Sequence, residues 1–264
     1  MRSCLCAILL LLTTLPAVAD TLAIKLFASE FPPLQYPGPD GDAQGYVHQL
    51  LQEALQRTQQ QLGTDVTFKA DPLSFLPLKR ALLNVQTTPN SLLLSVARTP
   101  DREQDMLWVA VVSPYDIWLY RKRSTLPKPT DILALRGRGY RIGVQDGSNV
   151  QEWLLKQGIG QPPDNTLLDP VPQNALNLGK AVMGRIDFFA HPDISLGLRA
   201  REQRVDPRQL EPVFRLDALS TPLWLAANKQ TDPRLISALR QQLQLMAQQG
   251  RLDALQKAWH DAQP

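Results

Sequence analysis

Short apolar segments of strand length alternate along this sequence with segments of helical spacing. Residues 92–97 and 107–112 are continuous apolar runs, which are typical of strands buried on both faces of a sheet. Residues 46–62 instead place Val47, Leu50 and Leu51 and their successors three and four positions apart, as in an amphipathic helix. This alternation predicts an α/β fold with largely parallel sheets.

The alternation occurs in two series separated by a basic, proline-containing break at residues 121–129. The second series is expected to begin with a strand at residues 140–144, followed by a tight turn and a helix. There Asn149 is the expected N-cap, with Glu152 three residues later at capping-box spacing. The end of the chain predicts two helices, the first opened by Asp232-Pro233 and the second following Gly250.

The first nineteen residues have the pattern of a secretory signal peptide. Arg2 precedes an apolar run, and Ala17-Val18-Ala19 is a small-x-small cleavage site, so residues 1–19 are expected to be removed. Both cysteines lie in this segment, so the protein that remains after cleavage would contain none. This excludes a disulfide scaffold, a thiolate nucleophile and cysteine-ligated zinc. No later stretch is apolar enough for membrane insertion, so we expect an exported protein free in its compartment.

Several classes of function have no support in the sequence. The formal charge is +3, and residues 121–123 form a short basic run of the kind usually found in a solvated loop, so no nucleic-acid partner is expected. The three histidines lack metal-ligand spacing, and the sequence has no Gly-x-Ser-x-Gly. Gly137-Arg138-Gly139 precedes its strand, unlike a dinucleotide loop, and we expect neither metal nor cofactor.

An ordered set of local motifs resembles the extracellular solute-binding proteins of family 3, the type II periplasmic binding proteins for polar amino acids and related molecules. The resemblance covers nearly all of the chain after the leader. The motifs are Phe31-Pro32-Pro33-Leu34-Gln35-Tyr36 with Gly45-Tyr46-Val47, residues 95–102 (SVARTPDR), Ser113-Pro114-Tyr115, residues 142–148 (IGVQDGS), Gly184-Arg185-Ile186-Asp187, and Gly250-Arg251-Leu252.

The resemblance implies a two-lobed fold in which each lobe is a mostly parallel sheet flanked by helices. Residues 20–118 and 216–264 would form lobe 1, and residues 119–215 would form lobe 2. The chain would cross between the lobes twice, near residues 118–122 and 213–216. Ligand would bind in the cleft, which closes by hinge rotation.

The resemblance also implies the site in lobe 1. Arg102 would hold a ligand carboxylate through its planar fork of donors, and the Ser95 hydroxyl would donate to the same group. Arg98 is an additional arginine within this motif. It would either bring a second positive charge for a dicarboxylate or serve a structural role. Phe31 and Tyr46 are candidates for an aromatic wall.

Lobe 2 would contribute Gly147 and Ser148, whose turn starts a helix with free N–H groups for an anion. Family members usually place an acid for the ligand ammonium five residues after the aspartate matched by Asp187, but Pro192 occupies that position. Either Asp193 performs this role or no ammonium is bound.

We therefore expect a monomeric periplasmic protein that captures a small carboxylate-bearing molecule, an amino acid or related organic acid, for uptake through an ABC permease. A non-enzymatic role is favoured. One alternative is a periplasmic cyclohexadienyl-type dehydratase on the same fold, which would need an acid such as Asp193 or Glu30 in the cleft. Another is a ligand-sensing subunit for an envelope partner.

Overall fold

The computed structural model describes residues 21–261, which contain two five-stranded sheets and a small two-stranded ribbon. The predicted leader lies outside the described residues. The strands are β1 (Leu22–Ala28), β2 (Tyr36–Pro37), β3 (Ala43–Gln44), β4 (Phe68–Phe75), β5 (Ser91–Ala97), β6 (Leu107–Ser113), β7 (Ile117–Lys122), β8 (Arg141–Gln145), β9 (Leu167–Val171), β10 (Phe188–Pro192), β11 (Leu210–Arg215) and β12 (Leu223–Ala227).

The first sheet has the order β4-β1-β5-β12-β6, and the second has the order β11-β7-β10-β8-β9. In the first, β12 is antiparallel to both neighbours while the other four strands share one direction. In the second, β7 is the reversed strand. The predicted α/β class with mostly parallel sheets is confirmed, and each exception is the strand that enters from the other lobe.

Helices cover both faces of both sheets. On the first sheet, α1 and the two C-terminal helices pack on one face and α2 packs on the other; on the second, α3 lies on one face and α4 and α5 on the other. The helices are α1 (Tyr46–Leu62), α2 (Leu78–Thr87), α3 (Asn149–Lys156), α4 (Leu176–Val182), α5 (Asp193–Glu202), α6 (Pro233–Gln248) and α7 (Arg251–Asp261).

The continuous apolar runs are buried as expected. In β5, residues Ser91 to Leu94 are all buried, because helices pack on both sides of this central strand. The predicted helix at residues 46–62 is confirmed, as are the two C-terminal helices. No described helix is long and apolar enough to span a membrane.

Two segments cross between the sheets, residues 114–116 and 216–222. They are tied together by hydrogen bonds from Leu216 N–H to the Ile117 carbonyl (2.7 Å) and from Ile117 N–H to Ser220 Oγ (2.9 Å). An ion pair joins Arg215 to Asp116 at 2.7 Å. The two crossings are therefore held side by side at one end of both sheets.

The outer strands of both sheets are blocked against further strand pairing. Pro72, Pro170 and Pro212 lie in the edge strands β4, β9 and β11, and each lacks the N–H that a new neighbour would need. On β6, Arg240 donates to the Trp108 carbonyl at 3.1 Å and so covers that edge. These features disfavour edge-to-edge association of copies.

A buried ion pair fastens the basic break at residues 121–129 to the second sheet. Arg121 donates to Glu211 at 2.8 Å, with side-chain exposures of 8% and 10%, and also to the carbonyls of Leu126 and Pro127. Without Arg121, the buried Glu211 carboxylate would keep only the Ser124 N–H at 3.3 Å and the more distant Lys128 ammonium at 3.7 Å. The break is thus an ordered part of the second lobe.

We predict that Arg121→Ala lowers the free energy of unfolding by about 3 kcal/mol, because the buried Glu211 carboxylate loses its nearest charged partner and keeps only Lys128 at 3.7 Å. Urea unfolding followed by circular dichroism would measure the change. Arg208→Ala is the matched control, since its Asp206 pair lies on the surface with the arginine side chain 88% exposed. Equal stability of the two variants would contradict a structural role for the buried pair.

Candidate functional site

Both sheets direct the carboxyl ends of their parallel strands toward the crossings. β6 ends at Ser113 immediately before the first crossing, and β1 and β5 run in the same direction. In the second sheet, β11 ends at Arg215 immediately before the return crossing, and β8 and β10 run with it. Open α/β sheets bind ligands at the carboxyl ends of their parallel strands. We call the two crossings, residues 114–116 and 216–222, together with the strand ends that face them, the junction.

Ser95 has a backbone conformation that marks it as unusual. Its φ is +53°, and it lies where the pairing of β5 with β12 shifts register, so two residues oppose one. A non-glycine residue in this region costs about 1–3 kcal/mol, and such strain concentrates at functional sites. Its hydroxyl donates to Gln35 Oε1 at 2.6 Å, and buried Gln35 donates to the Ser29 carbonyl at 3.1 Å.

Arg102 ends a short 3₁₀ turn after β5 and is half-buried. Within residues 21–261, the only hydrogen-bond partner of its side chain is the Ala97 carbonyl, reached by Nη1 at 3.4 Å. The remaining guanidinium donors are therefore free to bind an anion. Because Ala97 is two residues from Ser95, the arginine and the strained serine belong to the same strand end.

The second arginine of this motif is already paired. Arg98 donates to both carboxylate oxygens of Glu103, with Nε at 2.8 Å, and its guanidinium stacks on the rings of Trp224 and Trp108 at 4.9 and 5.6 Å. The ligand-binding role of Arg98 stays a prediction. Of the two roles that the sequence left open, the contacts support the structural one.

The two aromatic candidates are placed differently. Phe31 is half-buried, and its ring meets Tyr115 of the first crossing edge-to-face at 5.8 Å. Tyr46 is fully buried in the core of the first lobe, where its hydroxyl pairs with Ser113 Oγ at 2.7 Å. Burial raises the pKa of Tyr46 far above its usual value. Tyr46 is therefore part of the core, and its prediction as a cleft wall is wrong.

The glycine before Tyr46 explains this placement. Gly45 has φ +113°, and a Cβ there would collide with the Leu34 carbonyl oxygen, so only glycine permits the loop to pack so closely on the start of α1. The Val47 N–H then donates to Leu34 at 2.9 Å. The helix start is thereby used to hold the loop that carries Phe31 and Gln35.

The α3 helix is capped one residue earlier than expected, in a variant of the capping box in which the returning side chain reaches the residue before the N-cap. Ser148, rather than Asn149, is the N-cap: its Oγ accepts from Gln151 N–H at 3.2 Å, and Gln151 Oε1 accepts from Gly147 N–H at 2.7 Å. Both predicted residues are thus engaged with Gln151. Asn149 and Val150 supply the first-turn N–H groups that have no partner within the helix.

Asp193 begins α5 directly after β10, and its side chain is exposed. Its Oδ1 accepts from the Tyr120 hydroxyl at 2.6 Å, and its N–H donates to the Asp116 carbonyl of the first crossing at 2.9 Å. Burial, reinforced by the Asp193 carboxylate, raises the pKa of Tyr120 far above its usual value, so this hydroxyl remains a donor.

These contacts link Ser95, Phe31 and Asp193 to the first crossing. Ser95 bonds to Gln35, whose backbone pairs with Phe31, and Phe31 contacts Tyr115 in the crossing. From the second lobe, Ile194 packs against the first lobe's core, and Val150 and Trp153 of α3 join the apolar cluster at the crossings. The junction is therefore built from both lobes.

Two polar residues in this arrangement were missed by the sequence reasoning. Gln35 supports Ser95, and its presence in the aromatic-proline motif was the available signal. Tyr120 supports Asp193 from β7, and only the pairing of β7 with β10 reveals it. In the described part of the chain, no three histidine, cysteine or acidic side chains are grouped as a metal site would require.

Comparison with known proteins supports the fold. The sequence matches no protein-family model, and no curated protein matches it significantly. Among solved structures, the probable amino-acid ABC transporter extracellular-binding protein ytmK from Bacillus subtilis superposes with a TM-score of 0.69 at 16% identity, covering 91% of this chain and 98% of its own. A histidine kinase sensor domain with similarity to periplasmic binding proteins gives 0.62 at 16% identity, covering 92% and 96%.

The chain has the type II periplasmic-binding-protein fold. A third structure, an ancestral amino acid-binding protein described as a precursor of cyclohexadienyl dehydratase, gives a TM-score of 0.62 at 18% identity, with coverages of 90% and 94%.

A buried histidine next to Asp193 makes the stability of this region sensitive to pH. His191 is 3% exposed, and burial lowers its pKa from 6.5 to about 4, although its Nδ1 contacts the Pro192 carbonyl at 2.9 Å. Above pH 6.5 the imidazole is neutral in both folded and unfolded chains. As the pH falls toward 4, the unfolded chain takes up the proton first, and the folded state loses stability.

We predict that His191 accounts for a loss of about 3 kcal/mol in the free energy of unfolding between pH 6.5 and pH 4. Urea unfolding at a series of pH values should show a steeper loss of stability in the wild type than in His191→Gln, which keeps only the part due to carboxylates with lowered pKa, such as Asp164 and Glu211. His48→Gln is a graded comparison, because burial also lowers the pKa of this half-buried histidine, and its loss should remove a smaller part of the slope. Identical slopes in wild type and His191→Gln would show that His191 is not held neutral.

Proposed function

We propose that the protein binds a small carboxylate-bearing molecule, an amino acid or related organic acid, between its two lobes. The observation that carries this proposal is Arg102, whose guanidinium donors remain largely free and whose one side-chain contact is the Ala97 carbonyl, two residues along β5 from the strained Ser95. A guanidinium offers a carboxylate two parallel charged hydrogen bonds, which is a strong and directional contact.

The second lobe offers groups of both signs to the other parts of such a ligand. Asp193 presents an exposed carboxylate that the Tyr120 hydroxyl and the crossing hold in place, so it suits an ammonium group. The first turn of α3 offers N–H groups and the positive end of a helix to an anion. A ligand that bridges Arg102 and either feature favours the closed arrangement of the lobes.

We further propose that this binding serves uptake through an ABC permease in the periplasm. The similar Bacillus protein is described as an amino-acid ABC transporter binding protein, and the leader expected at residues 1–19 would direct export. The expected boundary at residues 118/119 falls inside β7, which belongs to the second sheet. Residues 117–215 would therefore move as one lobe and the remainder of the chain as the other, with the crossings at residues 114–116 and 216–222 as hinges. The blocked sheet edges favour a monomer.

Two other functions fit the same fold. A dehydratase is supported by the similarity to a precursor of cyclohexadienyl dehydratase and by the exposed acids Asp193 and Glu30. A sensing subunit is supported by the similarity to a histidine kinase sensor domain. Consumption of a bound cyclohexadienyl acid, with appearance of its aromatic product, would favour the dehydratase over a binding protein.

A thermal-shift screen tests the binding proposal directly. We predict that at least one L-amino acid or small organic acid raises the melting temperature, because a ligand at about 100 times its dissociation constant adds roughly 2.7 kcal/mol to stability. A shift restricted to amino acids would support Asp193 as the ammonium partner. The absence of any shift across amino acids, dicarboxylates and aromatic acids would contradict the proposed ligand class.

We predict that Arg102→Ala reduces affinity for the best ligand of that screen by at least about 100-fold, since it removes a paired charged hydrogen bond from a partly desolvated site. Isothermal titration calorimetry would measure it. Arg57→Ala is the matched control, because this arginine lies on α1 and contacts Gln249. Retained affinity in Arg102→Ala, with an unchanged fold, would exclude the carboxylate contact.

A further inference from the structure

The turn that carries Arg102 has little internal support. Residues 97–103 leave β5, form a 3₁₀ turn of three residues and continue toward β6. The turn's backbone bonds run from Arg102 N–H to the Thr99 carbonyl at 3.0 Å and from Glu103 N–H to the Pro100 carbonyl at 3.3 Å. So short a turn needs external contacts to present one side chain in a fixed direction.

Arg98 supplies such contacts on one side of the turn. Its bidentate pairing with Glu103 joins two residues five positions apart, which closes the loop on either side of Arg102. Its guanidinium lies over the rings of Trp108 and Trp224, whose own rings meet edge-to-face at 6.3 Å. These tryptophans lie in β6 and β12, so the loop is anchored to neighbouring strands.

A further bond fixes the end of the turn. Trp108 Nε1 donates to the Glu103 carbonyl at 3.2 Å, so the same tryptophan contacts both members of the ion pair. An arginine stacked on aromatic rings and paired through two N–H groups keeps little rotational freedom. We call Arg98, Glu103, Trp108 and Trp224 the arginine clamp.

We propose that the arginine clamp is a positioning device: Arg98 holds the turn of residues 97–103 so that Arg102 faces the junction, and it leaves one free guanidinium for the ligand. This inference rests on the proposed role of Arg102. It assigns Arg98 no direct contact with the ligand. It also predicts that the protein has no preference for a ligand with a second carboxylate, because Glu103 already neutralises Arg98.

Hydrogen exchange measured by mass spectrometry tests the clamp without any ligand. In Arg98→Ala and Glu103→Gln, we expect amides of residues 97–106 to exchange about fivefold faster, as the stacked ion pair is lost. Arg98→Lys retains the charge over the rings but only one compact donor group, so an intermediate rate is expected. Lobe 2 peptides should be unchanged.

Arg199→Ala is the matched control, because it removes another surface arginine–glutamate pair, with Glu202 at 2.7 Å, that does not touch this turn. Unchanged exchange of residues 97–106 in Arg98→Ala would overturn the clamp. Acceleration of the same size in Arg199→Ala would overturn it as well, since the effect would then be general.

Two pairs of probes test the ligand class, L-glutamate against L-glutamine and L-aspartate against L-asparagine. In the wild type, we expect neither acid to bind more than about threefold tighter than its amide, because Arg98 is occupied. In Glu103→Gln, Arg98 loses its carboxylate partner, and the affinity for each acid should rise about tenfold relative to the affinity for its amide. A strong preference for an acid in the wild type, lost in Arg98→Ala, would show that Arg98 binds ligand.

The two proposals fail in different ways. If Arg102→Ala retains full affinity while Arg98→Ala accelerates exchange in residues 97–106, the clamp exists but Arg102 is not the carboxylate contact. If Arg102→Ala abolishes binding and Arg98→Ala changes neither exchange nor affinity, the binding site stands and the clamp is excluded.

Discussion

The two reversed strands, β7 and β12, impose the geometry on which the rest of the molecule depends. Each enters its sheet directly from the other lobe and runs opposite to the other four strands of that sheet. Because both do so, the carboxyl ends of the parallel strands in both sheets must face the crossings. The ends of β5, β8 and β10, which carry Ser95, Ser148 and Asp193, are thereby directed to one region although they are distant in sequence.

Polar contacts then divide the groups at this junction into engaged and available ones. Gln35 fixes Ser95, Tyr120 fixes Asp193, and Glu103 neutralises Arg98. Arg102 is left with a single long contact to a carbonyl. A binding site needs rigid supporting groups and a few unsatisfied ones, since only the latter gain from a ligand. Ser95 belongs to the supporting groups, because the bond to Gln35 helps to hold its strained backbone conformation.

Much of the fold follows from local pattern, whereas several side-chain roles do not. Apolar runs and helical spacing predict the buried strands and α1. A strand buried on both faces is apolar at every position, and a helix buried on one side has apolar residues three and four positions apart. The side of the helix taken by Tyr46, and the stacking of Arg98 on Trp224, depend on close packing at Gly45 and on the register of β12 with its neighbours. Neither is visible in sequence spacing.

The most direct measurement is a crystal structure of the protein grown with a mixture of L-amino acids and small organic acids. We predict electron density at the junction, with a carboxylate of the bound molecule paired to Arg102 and groups from the start of α3 or α5 on its other side. Arg98 should remain on Glu103 and the two tryptophans. Density elsewhere on the molecule, or a ligand whose carboxylate avoids Arg102, would contradict the assignment of the junction as the binding site.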